Sequence, residues 1–413
     1  MTVDAQAHSP RKKPPEKPVC GVLILVSPAD GSDVRDWYLR KIVGVPFLLL
    51  NVLNLHQGGV ERVVIYHPEL SSPGGNPLTP LTEDSRVQGA VEWVSEFETL
   101  DRIVQENSCR LVVNGAALHD QADIAAALDG SLEPEHARTM GCFETSPGAV
   151  RQVMDYFDKA GEAAVEPVWT PGPVENTDHR LTVVTGSPAT QVRRAEDFKV
   201  QRERLLTRGG MASDSFMDRW VSRHFSRQFT RLLIDTPVTP NQITWMHLVV
   251  GVGSAWFFYQ GTYGLGMIGA VLLMISAWLD NTDGEVARLR FQQSRFGMIL
   301  DVIGDNVVHW AVFLGIGWGV ARTMGNDIYI LCGLLSMAGA VMSLWLLRAS
   351  VFQERGGSEY ESSGWADQLA NRDFLYFLFV MALVDQLNIF IAITAVGSNV
   401  FAGYVFYKKI KSA

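Results

Sequence analysis

The stretch DNTDGEVARLRFQQSRFGMILDVIGD, residues 280–305, decides how the chain is read. It carries Asp280 and Asp283 three positions apart, then Asp301 and Asp305 four positions apart. Spacings of three and four bring side chains onto one face of a helix, so each pair presents two neighbouring carboxylates. A short turn around residues 292–294 can fold the two pairs against each other. The flanks are apolar, over residues 265–279 before the first pair and, apart from His309, over residues 307–320 after the second. Carboxylates at the ends of helices this apolar are costly to keep and point to function. The four aspartates are therefore the candidate active site.

Working outward, the 413 residues are enough for two ordinary domains. The chain is polar to mixed before about residue 235. Apolar runs then follow at 242–259, 263–279, 296–320, 328–347, 374–384 and 387–407. Most reach the roughly 20 residues that a membrane span needs. The fifth does so only if residues 365–373 extend its helix in the interface. The expected fold is an α/β soluble domain with a parallel sheet, followed by an all-α six-helix transmembrane bundle. Loops on the side of the aspartates carry Arg288, Arg290 and Arg295, then Arg348, Arg355 and Arg372, then Lys408, Lys409 and Lys411, against Arg322 alone on the other side. The positive-inside bias places the soluble domain, the aspartates and the C-terminus in the cytoplasm. Thr239-Pro240-Asn241 opens the first span, with Thr as N-cap and Pro at the first helical position. Glycines at 264, 266 and 269, and at 315, 317 and 319, allow close helix packing.

Upstream of the first span, residues 201–239 read as a linker and an amphipathic helix. Phe216, Trp220, Phe225, Phe229, Leu232 and Leu233 form an apolar stripe, and Arg219, Arg223, Arg227 and Arg231 fall four apart on a flank. Such a helix lies on lipid headgroups. The same face could instead pack on the soluble domain with its arginines solvated, and the two readings are compatible. Residues 20–200 alternate strand and helix. Strands are expected at 20–27, 60–66 and 110–113, with a helix at 47–57 that ends at Gly58-Gly59; this alternation implies a parallel sheet between helices. Residues 1–19 are Pro- and Lys-rich with no apolar stretch, a disordered leader and not a signal peptide. Cys20, Cys109, Cys142 and Cys332 show no CxxC or regular spacing, so neither a zinc site nor a disulfide framework is indicated, and a reduced compartment fits. A net charge of −9, with no Lys/Arg-dense tract except at the two ends, argues against a nucleic-acid partner.

Four carboxylates converging at the edge of a bundle form an oxygen-rich, negative cage suited to Mg²⁺ or Mn²⁺. Two such ions a few ångströms apart form a clamp for displacement at phosphorus. Gly284 removes a side chain beside Asp283, and Arg288, one turn on, suits a phosphate oxygen. Gly297 opens the facing helix one turn before Asp301. A cation or proton transporter using intramembrane carboxylates is the competing class. It predicts acids at mid-span and gives no reason for Gly284, Ala287, Arg288 and Gly297. Pairing of the aspartates with nearby arginines is the bland alternative. His309, one turn past Asp305, either tunes that aspartate or is a hydrogen-bonded bundle histidine.

The pattern D-x2-D-G-x2-A-R-x8-G-x3-D-x3-D is filled without a gap by Asp280, Asp283, Gly284, Ala287, Arg288, Gly297, Asp301 and Asp305. In this it resembles the CDP-alcohol phosphotransferase (CDP-alcohol phosphatidyltransferase) family, from about residue 214 to the C-terminus. The resemblance implies an integral-membrane enzyme of phospholipid biosynthesis that moves a substituted phosphate from a CDP-alcohol to an acceptor hydroxyl and releases CMP. It implies that Asp280, Asp283 and Asp301 ligate metal, with Asp305 completing a second site and acting as general base. Gly284, Ala287, Arg288 and Gly297 would contact the cytidine and pyrophosphate. Arg348, Arg355 and Arg372 lie where the family often binds a phosphorylated acceptor, although positive-inside charge explains them as well. The family also suggests a homodimer. Residues 43–66 resemble the second motif of sugar-nucleotide and alcohol-phosphate nucleotidyltransferases. However, SPADGSDVR at 27–35 replaces that family's Gly-rich basic loop. The metal-holding aspartate would fall at Gly115-Ala116, where alanine cannot ligate, and Asp120 is the candidate substitute. The first domain is thus expected to be inactive. As a whole the chain resembles fusions that make CDP-inositol and join it to an inositol phosphate. Open at this point are a CDP-diacylglycerol or a soluble CDP-alcohol donor, and a bifunctional enzyme whose first domain also makes the CDP-alcohol.

Overall fold

Strand β1 (Cys20–Ile24) has five consecutive buried residues, as its unbroken apolar run requires for a strand covered on both faces. The computed structural model describes residues 19–70, 76–105, 109–159, 180–208, 221–353 and 373–412. They fall into two units, Met1–Glu203 and Arg204–Ala413.

In the first unit, the two-residue strands β2 (Lys41–Ile42) and β3 (Val45–Pro46) pair as a small antiparallel ribbon. The main sheet adds β4 (Arg62–Tyr66), β5 (Ala90–Val94), β6 (Cys109–Asn114), β7 (Cys142–Thr145) and β8 (Leu181–Val184) to β1. Its order is β5-β4-β1-β6-β8-β7, parallel throughout except where β7 runs against β8. Around it run α1 (Val34–Leu39), α2 (Phe47–Gln57), α3 (Thr79–Thr82), α4 (Phe97–Gln105), α5 (Gln121–Asp129), α6 (Pro134–Thr139), α7 (Val150–Lys159) and α8 (Ala195–Arg208), the last crossing into the second unit. The parallel α/β architecture is the one expected from the sequence. Helix α2 stops where predicted. Gly59 has φ +98°, and a Cβ on Gly58 would lie 2.5 Å from Ile124, so neither position takes a side chain without strain or displacement.

A cleft of about 420 Å³ opens beyond the carboxyl ends of β1 and β4, lined by residues of the 27–35 loop, including Asp33 and Arg35, and by His67 and Glu69. Burial holds the His67 imidazole below its usual pKa range. The position after β6 that would need a carboxylate is Ala116, 1% exposed. Asp120 sits at the N-cap of α5 and does not line this cleft.

In the second unit, α9 (Arg223–Leu233) precedes α10 (Pro240–Tyr259), α11 (Tyr263–Leu289), α12 (Arg295–Met324), α13 (Ile328–Gln353), α14 (Asp373–Leu383) and α15 (Leu387–Ser412). Four of these, α11, α12, the Ile328–Leu346 part of α13 and α15, are long and apolar enough to cross a membrane. Six spans were expected. Helix α14 has 11 described residues, and residues 365–372, which the sequence reading needed to lengthen it, lie outside the described ones. Helix α10 is less apolar because Thr244, His247 and Ser254 occupy its buried face. The start of α10 is as predicted. The Thr239 hydroxyl accepts from the Gln242 backbone amide and the Gln242 side-chain oxygen accepts from the Thr239 backbone amide, with Pro240 at the first helical position. Glycines 315 and 319 of α12 meet the backbone of Ala255 and Phe258 in α10, and Gly317 meets Gly333 in α13. Gly269 meets the Ser254 carbonyl in the same way. Gly264, by contrast, has nothing within 4 Å, and Gly266 has only a Leu387 methyl at 3.5 Å, so neither marks a tight contact.

The arginine flank of the linker is not a uniform headgroup face. Arg223 is 6% exposed and turns inward. Its guanidinium donates to Glu285 of α11 at 2.6 Å, and Thr230 donates to the other carboxylate oxygen at 2.5 Å. Phe225, from the apolar stripe, stacks on Trp278 of α11 with centroids 4.2 Å apart. Helix α9 is thus fastened to α11 by one buried ion pair and one ring stack. Phe216, Arg219 and Trp220 lie outside the described residues.

Candidate metal centre

The four aspartates come together because α11 and α12 are consecutive and antiparallel across a tight turn. Helix α11 ends with Phe291 at φ +56°, the Gln292 amide bonding back to the Ala287 carbonyl and the Phe291 amide to Arg288. Ser294 then caps α12, its hydroxyl accepting from the Gly297 amide at 3.0 Å. The turn is held from below by Arg290, which the sequence reading counted among the loop charges. It is 6% exposed, and its guanidinium donates to the carbonyls of Leu233, Ile234, Thr236 and Val238. One planar fork thereby satisfies the carbonyls left open at the end of α9 and in the segment leading to α10. Arg290→Ala is expected to lower stability by about 2 kcal/mol or more, read as a fall in the detergent melting temperature. Arg290→Lys recovers only part of it, because a point charge cannot span these carbonyls.

One donor atom each from Asp280, Asp283 and Asp301 lies within 4.8 Å of the others. A second group under the same limit joins Asp280 and Asp305 to His247 of α10. Asp280 belongs to both, so the residues form one continuous cluster with two overlapping positions. Asp280 and Asp283 are 3% and 6% exposed, while Asp301 and Asp305 are half-buried on the open side. Thr244 of α10 donates to Asp283 at 2.5 Å and fixes one of its oxygens. His247 is held by Ser276 of α11, which lies 3.2 Å from its Nδ1 and donates to its backbone carbonyl at 2.8 Å.

The donor set fits a divalent cation. Three carboxylates this close, two of them nine-tenths buried, repel one another unless positive charge sits among them. Their oxygens are the ligands that Mg²⁺ and Mn²⁺ take.

The other signature residues surround the cluster. Gly284 is covered by Arg288, whose Nη1 would lie 3.3 Å from an added Cβ. The exposed Arg288 therefore folds back one turn over Gly284. A Cβ at Gly297 would meet the Asn241 side-chain oxygen at 2.8 Å. That glycine therefore admits the Thr239-Pro240-Asn241 segment as well as opening the helix. Ala287 is half-buried on α11. His309 packs edge-on against Phe374, centroids 4.9 Å apart. Arg348 falls in the last part of α13, where side chains are not described, and Arg355 and Arg372 lie outside the described residues.

The sequence reading missed His247, Thr244, Ser276 and Glu285. All four are polar residues buried in apolar helices, and that was the signal available for finding them.

Buried acids on a pair of apolar helices, converging at one end, form a candidate divalent-cation centre. Residues 237–402 match the sequence profile of the CDP-alcohol phosphatidyltransferase family. The chain is 30% identical over 171 residues to a protein of Thermococcus kodakarensis named bifunctional IPC transferase and DIPP synthase, covering 41% of this chain and 38% of that one. It is 27% identical over 147 residues to a phosphatidylinositol phosphate synthase of Mycobacterium marinum, covering 35% and 62%. The crystal structure of the Mycobacterium tuberculosis phosphatidylinositol phosphate synthase with CDP-DAG bound aligns with 45% of this chain and 92% of its own, at 22% identity and a TM-score of 0.36.

Proposed function

We propose that the protein is an integral-membrane CDP-alcohol phosphotransferase of phospholipid biosynthesis, which transfers a substituted phosphate from a CDP-alcohol to an acceptor hydroxyl and releases CMP. The observation that carries this reading is the convergence of Asp280, Asp283 and Asp301 within 4.8 Å, inside the stretch that matches the CDP-alcohol phosphatidyltransferase family. Asp280, Asp283 and Asp301 hold one divalent cation, Mg²⁺ or Mn²⁺, and Asp305 with Asp280 takes part in a second position. Bound there, the cation supplies charge neutralisation at the pyrophosphate. Gly284, Ala287, Arg288 and Gly297 receive the cytidine and pyrophosphate, with the exposed Arg288 guanidinium placed to pair with a phosphate oxygen. One Asp305 carboxylate oxygen takes the proton of the acceptor hydroxyl as that hydroxyl oxygen bonds to phosphorus. The bond from phosphorus to CMP breaks, and a phosphodiester remains. Arg348 and Arg355 are the candidates for binding a phosphorylated acceptor.

Six spans suit this reading better than four. The outward side of α10 carries Trp245, Val249, Val252 and Trp256, all exposed, while its inward side carries Thr244, His247 and Ser254. A helix with large apolar residues outside and polar ones inside is built for lipid. Positive-inside charge then puts the aspartates and the first unit in the cytoplasm. The protein works as a homodimer. Residues 20–200 act as a nucleotidyltransferase-like domain without transferase activity, since Ala116 stands where a metal carboxylate is needed, after a leader (1–19) and before the linker (201–239) that leads to the catalytic domain (240–413).

The donor is a CDP-diacylglycerol or CDP-inositol type of molecule. The test is product analysis by ³¹P NMR with each donor offered separately, against inositol phosphate and glycerol phosphate. A new phosphodiester resonance with one donor supports the reading and names that donor. Conversion of CTP and an alcohol phosphate into a CDP-alcohol would instead show that the first domain is active and the enzyme bifunctional.

A further inference from the structure

We propose that His247 is a nitrogen ligand in the aspartate centre, so that one of its two positions is a mixed nitrogen–oxygen site. This rests on the metal-dependent reading proposed above. Residue 247 is not a position of the aspartate signature, and the family match does not assign it a role. His247 is 1% exposed, and its Nε2 lies 3.8 Å from Asp280 Oδ1. It also falls within the 4.8 Å group that includes Asp305.

The hydrogen bonds on the other ring nitrogen fix the tautomer. Ser276 has one hydroxyl hydrogen and gives it to the His247 carbonyl. Its oxygen, 3.2 Å from Nδ1, can therefore only accept from an Nδ1–H. The lone pair of the neutral ring is then on Nε2, aimed into the carboxylates. At 3.8 Å the Asp280 oxygen is beyond hydrogen-bond distance, and Nε2 is a buried nitrogen without a hydrogen-bond partner. Leaving such an atom unsatisfied is unfavourable unless something binds it. Ligand atoms about 2.1 Å from a shared cation lie about 3 to 4 Å apart, which matches this separation.

Two further features agree. A metal-binding histidine ordinarily donates its other ring N–H to a fixed neighbour, as His247 does to Ser276. Space for the ring on the facing helix comes from Gly304, where a Cβ would lie 3.3 Å from Nε2. The two positions then differ in chemistry. Asp280, Asp283 and Asp301 offer oxygen alone and suit Mg²⁺. His247, Asp280 and Asp305 offer nitrogen and oxygen, which favours Mn²⁺ over Mg²⁺.

The test uses Mn²⁺ alone as the probe, on the full chain in detergent, with pulsed electron paramagnetic resonance. The expected result is a ¹⁴N modulation on bound Mn²⁺ that changes to the ¹⁵N pattern when only histidine is ¹⁵N-labelled. It disappears in His247→Ser and persists in His309→Leu. Mn²⁺ affinity falls about tenfold in His247→Ser, and Mg²⁺ affinity less than twofold. Bound Mn²⁺ with no nitrogen modulation in the unsubstituted protein overturns the assignment while leaving the metal-dependent reading intact, and it needs no variant to fold. Modulation surviving in His247→Ser overturns it as well. Absence of any Mn²⁺ binding to folded protein removes both.

Discussion

Asp305→Asn is expected to lower CMP release by about a thousandfold. Asparagine keeps the size and one oxygen of the side chain but cannot take a proton from the acceptor. The position formed by Asp280, Asp283 and Asp301 does not include residue 305, so one Mn²⁺ should still bind in the variant. The expected signature is therefore a collapsed turnover in a protein that still binds metal and melts normally. Asp283→Asn should behave differently. It removes an oxygen from the first position and leaves Thr244 with an altered partner, so metal binding and turnover fall together. A loss of less than about tenfold in Asp305→Asn would remove Asp305 from the role of base.

The largest expected effect on stability lies away from the chemistry, at Glu285. Its carboxylate is buried, paired with Arg223 and bonded by Thr230, and side-chain exposure of the ion pair is 7% and 4%. Glu285→Ala leaves the arginine charge buried without its partner, and removing one member of such a pair costs about 3–5 kcal/mol. The detergent melting temperature should fall steeply. The paired replacement Arg223→Met with Glu285→Met should lie much nearer the original protein than either single change, since an apolar pair carries no desolvation cost. Equal melting temperatures for the single and paired variants would mean that the ion pair does not fasten α9 to α11.

What the sequence made legible follows from where each signal resides. The four aspartates could be read directly because each pair lies on one of two consecutive helices, where offsets of three and four bring side chains together; Ala287 entered only through the family signature. His247 and Thr244 were not read, because their approach to the aspartates depends on how α10 packs across α11 and α12, and Ser276 of α11 gains its role only through His247. That packing is set by Gly251, Gly315 and Gly319, where any Cβ would strike a neighbour closer than 3.0 Å. Arg223 was misread for a related reason. An arginine every fourth residue gives a polar flank, but only the partner helix shows that one of them faces a buried glutamate. In the first unit, β1, β4 and β6 stood out as short apolar runs at the centre of the sheet. Strands β5 and β7 lie at its edges with mixed exposure and gave no such run. Among the described residues, four of the six apolar runs meet length and composition together: the buried polar residues of α10 dilute the very signal that marks a span, and α14 is described only from residue 373.

The most direct test of the account is CMP release by the full chain in detergent, supplied with a CDP-alcohol and an acceptor, before and after removal of divalent metal by a chelator. The account predicts that release stops on chelation and returns with Mg²⁺ or Mn²⁺. Release that continues unchanged in the chelated protein would contradict it, and so would folded, metal-supplied protein that releases no CMP from any donor but moves cations across a vesicle membrane.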